Sequence, residues 1–173
     1  GEWYEIPQAT VDATSALVRR FGYHPVVEKE VAGFVENRIL YAILRECLDL
    51  VDRGIIDPEG LDLNVRWGIG YKLAVIGPME LLDMAGLDIY NAVGSYLNQD
   101  LSTSGEVSST IRGLIEQGRL GMKTGGGIYD YTPEQIEELL AVADEVARSH
   151  LGLLEQLVER NPLGPPVDGR GEP

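Results

Sequence analysis

The sequence predicts a mostly α-helical fold of about six helices, preceded by a short α/β segment. Apolar side chains recur at helical spacing through most of the chain, and glycines stand where these patterns stop. Residues that favour helix starts stand where the patterns begin. With 173 residues, 44% of them hydrophobic, the chain is long enough for one domain with a core and a tail.

The N-terminal segment combines a helix with an extended run. Residues 11–22 form an amphipathic pattern that ends at Gly22, and residues 25–29 (Pro-Val-Val-Glu-Lys) favour a short β-strand. A helix followed by a strand is typical of the end of an α/β domain. We therefore expect residues 1–30 to be the remnant of such a domain.

The longest apolar pattern predicts a helix over residues 34–53. Half of its positions are apolar, which is too wide a stripe for a helix with one buried face. We expect other helices or a second subunit to cover this helix on most sides. Cys47 lies inside it and is the only cysteine, so we expect a buried, inert thiol and no intrachain disulfide.

Five further helices are expected, each with a recognisable start or stop residue. Their predicted bounds are 58–67, 79–85, 87–97, 107–116 and 133–159. Asp57 should cap the first of these helices and Gly68 should end it. Thr132 and Gln135 should form a capping box for the last one. An extended piece is possible at residues 127–130.

The domain division follows from these patterns. Residues 31–160 make a helical domain. Residues 161–173 contain four prolines and three glycines, so we expect a flexible tail there.

The charge balance argues against several partner classes. A formal charge of −14 repels nucleic acid and anionic lipid, so neither nucleic acid nor membrane is expected as a partner. No apolar run reaches the roughly 18 residues of a membrane span, and no signal peptide opens the chain, so we expect a cytoplasmic protein. Potential metal ligands are not clustered, so no metal site is expected.

The segment Gly33-Phe34-Val35-Glu36-Asn37-Arg38 contains the most informative polar residue. Asn is a poor interior helix residue because its amide competes for backbone hydrogen bonds. Asn37 is therefore either a helix-terminal residue satisfied locally or an amide that binds a substrate carbonyl or an enzyme histidine. Arg38 is expected to be structural, as an ion-pair partner or an anchor of the helix end.

A second segment, Gly77-Pro78-Met79-Glu80-Leu81-Leu82-Asp83, has the form of a turn that enters a helix. Glycine before proline permits backbone that a Cβ would obstruct. Glu80 and Asp83 share a helix face, but a capping or ion-pair role is expected for them rather than acid/base catalysis.

Two glycine-rich segments resemble nucleotide-binding motifs but lack the features that such motifs need. Lys123-Thr124-Gly125-Gly126-Gly127, which continues to Ile128-Tyr129, lacks the glycine spacing and the preceding strand of a phosphate loop. Gly68-Ile69-Gly70 lacks the third glycine and the strand of a dinucleotide fingerprint. We expect the segment at residues 123–127 to be structural.

In this order and spacing, the three segments that begin at Gly33, Gly77 and Lys123 resemble the C-terminal domain of NAD-dependent 3-hydroxyacyl-CoA dehydrogenases, over roughly residues 10–131. Residues 68–76 are similar to the longer form found in bacterial and archaeal members. The resemblance implies a helical domain of the 6-phosphogluconate-dehydrogenase-like type, with residues 1–30 as the remnant of a Rossmann domain. It also implies oxidation of (S)-3-hydroxyacyl-CoA, such as 3-hydroxybutyryl-CoA, to 3-ketoacyl-CoA with NAD, with a histidine as base.

The resemblance also implies residue roles. Asn37 falls on the active-site Asn beside the catalytic histidine, which makes it the candidate catalytic and substrate-binding residue. Gly77 and Pro78 fall near the acyl path and are candidate substrate-binding residues. Neither His24 nor His150 falls on the catalytic histidine, and Glu5 is not expected to be its carboxylate partner.

The expected partners and cofactors follow from the same resemblance. They are an acyl-CoA substrate, a second copy in a homodimer, and a missing or separately encoded Rossmann domain. NAD is expected for the full-length enzyme and not for this chain, which should be inactive alone. Three alternatives stay open: a dehydrogenase of a non-CoA 3-hydroxy acid, of the gulonate or carnitine type; a natural subunit that pairs with a separate Rossmann protein; and a structural dimerisation module.

Overall fold

A computed structural model describes residues 6–160, apart from the side chains of residues 146–155 and 157–159. The fold is mostly α-helical, as predicted. The helices are α1 (Gln8–Arg20), α2 (Phe34–Asp52), α3 (Pro58–Val65), α4 (Tyr71–Leu73), α5 (Pro78–Ala85), α6 (Leu87–Asp100), α7 (Ser109–Glu116) and α8 (Pro133–Arg160), with a π-helical segment at Arg66–Gly70 and a 3-10 turn at Met122–Thr124. Within residues 6–160, β-pairing is limited to isolated bridges of Gly126 with Gly121 and Asp130.

The chain divides inside α2 into two structural units, Gly1–Ile43 and Leu44–Pro173. Glu5 and residues 161–173 lie outside the described residues, as does the side chain of His150, so the expectations for them stay predictions. The same holds for the predicted domain division at residue 30.

In the first unit, α1 ends close to the predicted position. It begins at Gln8, three residues earlier than expected, and Gly22 follows it with a φ of +82°. His24, just beyond, is exposed.

The predicted strand at residues 25–29 is wrong. These residues have no strand partner among the described residues. A single extended run gains no ladder of hydrogen bonds, so β propensity alone does not make it a strand. The Glu28 side chain instead contacts the start of α2, as described below.

In the second unit, the prediction that Gly68 ends a helix is also wrong. The helix α3 passes into the π-helical segment Arg66–Gly70 and then into α4. Gly70 has ordinary helical angles, with φ −59° and ψ −49°. Because neither Gly68 nor Gly70 takes a positive φ, these glycines do not provide the left-handed residue that stops a helix.

Two predicted helix starts, at residues 58 and 133, are confirmed by their side-chain caps. Asp57 Oδ1 accepts the Gly60 N–H at 2.6 Å. Thr132 and Gln135 form the predicted capping box, with distances of 2.9 and 3.2 Å. The Ser108 hydroxyl caps α7, which therefore starts at Ser109 rather than at 107.

Two carboxylates on α2 accept hydrogen bonds from the loop between α6 and α7 and from the first residue of α7. Glu46 Oε2 accepts the Ser102 N–H at 2.7 Å. Asp52 accepts the Ser108 hydroxyl at 3.0 Å and the Ser109 N–H at 3.2 Å. Hydrogen bonds from Thr110, above all, and from Ser108 hold the pKa of Asp52 below its usual range. These contacts place α7 against the C-terminal end of α2.

The described helices of this chain leave α2 largely uncovered, so coverage by a second subunit stays a prediction. No hydrophobic side chain among the described residues is fully buried, and Phe34 and Tyr41 on α2 are 60% and 69% exposed. Cys47 is half-buried rather than buried. Its partial burial raises the pKa of the thiol, as do Glu46 and Asp62, which agrees with an inert thiol.

No described helix is both long and apolar enough to cross a membrane.

Candidate substrate site

Two residues with left-handed backbone, one before α2 and one at its first position, lie at the start of the helix that carries Asn37. Gly33 has a φ of +81° and Phe34 a φ of +53°. Glycine adopts this region readily, but for a bulky residue such as Phe34 it is a rare conformation that costs on the order of 1–3 kcal/mol. The Phe34 N–H donates to the Val31 carbonyl at 3.0 Å and closes this turn.

Two side chains hold the helix start in place. The Glu28 carboxylate accepts the Val35 N–H with both oxygens, at 3.2 and 3.3 Å. Arg38 Nη1 donates to the Ala32 carbonyl at 3.4 Å. The contact confirms Arg38 as a helix-end anchor. The role of Glu28 was not predicted, because a cap seven residues upstream lies outside the three-residue spacing of a capping box.

Asn37 is exposed one turn into α2. Its side-chain amide forms no hydrogen bond with the backbone or side chains that the structure describes. The interpretation that local groups satisfy this amide therefore finds no support in the described residues. Its donor and acceptor both remain available for a ligand or another protein surface.

Gly77 and Pro78 form the entry to α5, as predicted. Pro78 is the first residue of the helix and is exposed. Glu80 Oε2 accepts the Gly77 N–H at 2.8 Å, which confirms a capping role for Glu80. Asp83 is exposed on the same helix.

The expectation that a Cβ at Gly77 would obstruct the backbone is wrong. This residue has an extended conformation, with φ −64° and ψ 156°. A Cβ there would meet only Glu80 Oε2, at an ordinary 3.5 Å. The position therefore tolerates a side chain.

The three candidate residues fall in different units. Asn37 belongs to the first unit, while Gly77 and Pro78 lie together in the second. Their shared role in one substrate site stays a prediction.

The loop at residues 119–131 is a structural element, as predicted. Arg119 donates to the Gly127 carbonyl from Nε at 3.1 Å and from Nη2 at 2.8 Å, and its Nη1 pairs with Asp130 at 2.6 Å. The N–H groups of Gly121, Gly126 and Gly127 all donate to carbonyls within the loop. A phosphate loop needs such groups directed at the ligand.

A long-range contact ties this loop to α3. The Tyr129 hydroxyl donates to Asp62 Oδ2 at 2.8 Å. Burial, followed by the hydrogen bond to Asp62, raises the pKa of Tyr129 to about 12. The phenol therefore stays protonated as a donor throughout the neutral range. The sequence contains no local signal for this pair, since 67 residues separate its members.

The segment Arg66–Gly70 does not form a dinucleotide-binding loop. Gly68 and Gly70 lie inside a π-helical segment, whereas a dinucleotide loop follows a strand and precedes a helix. The part of the chain that the structure describes also contains no group of three or more potential metal ligands.

The family model described as "3-hydroxyacyl-CoA dehydrogenase, C-terminal domain" matches residues 33–131. The chain belongs to this family. The matched range contains the three segments that begin at Gly33, Gly77 and Lys123.

Among curated relatives, 5-formyl-3-hydroxy-2-methylpyridine 4-carboxylate 5-dehydrogenase of Mesorhizobium japonicum is 56% identical over 133 residues, which are 76% of this chain and 43% of that protein. A crystal structure of 5-formyl-3-hydroxy-2-methylpyridine 4-carboxylic acid (FHMPC) 5-dehydrogenase, described as an NAD+ dependent dismutase, matches with a TM-score of 0.79 and 53% identity. The match covers 88% of this chain and 48% of that one.

The mitochondrial hydroxyacyl-coenzyme A dehydrogenase of Mus musculus is 34% identical over 72% of this chain and 39% of its own length. The chain thus spans less than half the length of each of these relatives. This member of the 3-hydroxyacyl-CoA dehydrogenase family is markedly more similar to a pyridine dehydrogenase than to a CoA-ester dehydrogenase.

Proposed function

We propose that this chain forms the substrate-binding and dimerisation part of an NAD-dependent dehydrogenase that acts on a small carboxylated pyridine. The observation that supports this most is the 56% identity over 133 residues to FHMPC 5-dehydrogenase, against 34% to a CoA-ester enzyme. The matching structure, with a TM-score of 0.79, agrees with it. NAD and the catalytic base belong to the other part of the enzyme in this proposal.

In this proposal, Asn37 contacts the reacting end of the substrate. Its amide NH2 can donate to a carbonyl oxygen, and its amide oxygen can accept from a hydroxyl. A single side chain can therefore hold both the oxidised and the reduced form of a carbonyl–alcohol pair. The exposed, unbonded amide on a helix start held by Glu28 and Arg38 supports this role.

Dimerisation is proposed from the exposed apolar side chains of α2. Phe34, Ile39 and Tyr41 are 60%, 52% and 69% exposed. Large apolar side chains that are this exposed favour an interface, and most soluble oligomers are symmetric homodimers.

A second candidate is the oxidation of (S)-3-hydroxyacyl-CoA with NAD. The family to which the chain belongs and its 34% identity to a hydroxyacyl-coenzyme A dehydrogenase favour this substrate. The charge of −14 disfavours it, because the phosphates of CoA would have to approach a strongly acidic protein.

A chimeric enzyme separates the two candidates. The matched 133-residue segment of the Mesorhizobium japonicum enzyme is replaced by that of this chain. NAD-dependent turnover is then measured with FHMPC and with acetoacetyl-CoA, and the unmodified enzyme serves as control. We expect turnover of FHMPC and none of acetoacetyl-CoA.

Two other outcomes would contradict the proposal. Turnover of acetoacetyl-CoA alone would favour the CoA-ester candidate. A folded chimera that turns over neither compound would leave a structural dimerisation module as the function.

A further inference from the structure

Residues 65–79 stand out from the rest of this acidic chain. They contain no Asp or Glu, although the chain has 28 such residues in total. They contain two cations, Arg66 and Lys72, neither of which forms an ion pair with a described side chain. The acidic remainder of the chain repels an anion, whereas the positive charges of this segment attract one.

The same segment exposes two aromatic rings. Trp67 is 68% exposed and Tyr71 is 56% exposed. The hydrogen bonds of a π-helix repeat every five residues, so side chains four or five positions apart lie on one side. Tyr71 and Lys72 stand four and five positions after Trp67, across the π-helical segment Arg66–Gly70 and the start of α4.

Lys72 lies close to one of these rings. Its Nζ is 5.8 Å from the centroid of Tyr71, within the range of a cation–π contact. Gly68 and Gly70 lie between the aromatic residues and have no side chains to cover them. Both rings are therefore exposed to a ligand, and a positive charge lies beside the ring of Tyr71.

We propose that Trp67, Tyr71 and Lys72 form a ring platform that binds a planar aromatic carboxylate, with the ligand ring against the indole or phenol face and its carboxylate at the ammonium group. This inference rests on the proposed function, since a carboxylated pyridine is such a ligand. Charge complementarity favours it over coverage of the rings by a second copy of this acidic chain.

Tryptophan fluorescence tests the ring platform directly. The chain has two tryptophans, so Trp3→Phe leaves Trp67 as the only one. The full chain with this substitution is titrated with pyridine-4-carboxylate and, separately, with cyclohexanecarboxylate, a non-planar anion of the same charge. We expect a saturable change in emission with the planar ligand and affinity at least about tenfold weaker with the other.

Substitutions at the platform have matched controls. Lys72→Ala should weaken binding of pyridine-4-carboxylate by about tenfold, as expected for loss of a charge-assisted contact. Lys123→Ala removes another exposed lysine of the same unit and should leave binding unchanged. Circular dichroism shows that both variants keep their helix content.

Three results would overturn the ring platform. The first is quenching that rises linearly with ligand and never saturates, and the second is equal affinity for the two carboxylates. The third is emission that follows protein concentration rather than ligand concentration, which would show that a second copy covers Trp67.

Kinetics of the chimeric enzyme separate this inference from the proposed function. Trp67→Ala should raise the KM for FHMPC about tenfold and leave the KM for NAD unchanged. Turnover of FHMPC with an unchanged KM would refute the ring platform alone. Loss of all FHMPC turnover in the unsubstituted chimera, together with saturable binding of pyridine-4-carboxylate to the chain, would refute the proposed function alone.

Discussion

The Glu28 carboxylate accepts the N–H of Val35 with both oxygens, at 3.2 and 3.3 Å, and so caps the helix that carries Asn37. The first N–H groups of a helix have no partner inside it, and a carboxylate there satisfies one of them and complements the helix dipole. Glu28 is therefore a positioning residue for Asn37, which lies two residues after Val35 in the same helix.

Replacing Glu28 tests this capping role. Glu28→Ala should lower the free energy of unfolding by about 1 kcal/mol, as for the loss of other helix caps. Glu28→Gln keeps an acceptor oxygen and should cost less. Glu30→Ala removes a nearby exposed carboxylate that caps no helix, and it should be close to neutral. Urea unfolding of the three variants measures these differences, and equal effects of Glu28→Ala and Glu30→Ala would contradict the role.

The strained backbone at Phe34 makes a second prediction. Asn tolerates left-handed backbone better than Phe, so Phe34→Asn should raise the free energy of unfolding by about 0.5–1 kcal/mol. The control is Tyr41→Asn, which replaces an exposed aromatic residue on the same helix without left-handed backbone. It should have no stabilising effect. The account of strain fails if both variants are equally destabilised in thermal unfolding.

The hydrogen bonds to Asp52 predict a dependence of stability on pH. Its pKa is lower in the folded chain than its ordinary value of 3.8, chiefly because Thr110 and Ser108 donate to the carboxylate. The folded state therefore binds this proton less readily than the unfolded state. The contribution to stability is present above about pH 4 and is lost as the pH falls through the lowered pKa.

Unfolding in urea between pH 2.5 and 6 checks this contribution. The stability difference between the wild type and Asp52→Asn should be largest near pH 6 and should shrink below about pH 4. A difference that stays constant over this range would show that the ionised carboxylate of Asp52 is not what holds Ser108 and Thr110.

The loop at residues 119–131 makes a steric prediction. A Cβ at Gly127 would lie 2.8 Å from the Cα of Gly121, closer than real Cβ contacts allow. Gly127→Ala should therefore destabilise the chain by about 1–3 kcal/mol. Gly105→Ala is the matched control, because a Cβ at Gly105 meets nothing within 4 Å and its φ is not positive. Similar midpoints of thermal unfolding for the two variants would contradict the tight approach of Gly127 to Gly121.

The sequence predicts most of the helices because their ends depend on local chemistry. Asp57, Thr132 and Gln135 lie within three residues of the N–H groups they cap, so the local sequence predicts these helix starts. Gly68 shows the limit of such signals, since a glycine stops a helix only where the backbone turns left-handed.

The remaining contacts could not be predicted because they join distant parts of the sequence. Ser102 lies 56 residues from Glu46, and Tyr129 lies 67 residues from Asp62. Polar side chains at such positions look the same in sequence whether they meet a partner or face solvent. Asn37 was identified through its motif, whereas Glu28, which supports its helix, was assigned to a strand that does not form.

Turnover of FHMPC by the chimeric enzyme, with and without Asn37→Ala, tests whether Asn37 contacts the substrate. If Asn37 holds the reacting oxygen of a carboxylated pyridine, kcat/KM for FHMPC should fall by about 100-fold, while the KM for NAD stays unchanged. Asn37→Asp keeps the shape of the side chain and removes its NH2 donor, so kcat/KM of this variant should fall similarly. An unchanged kcat/KM in Asn37→Ala would contradict the account.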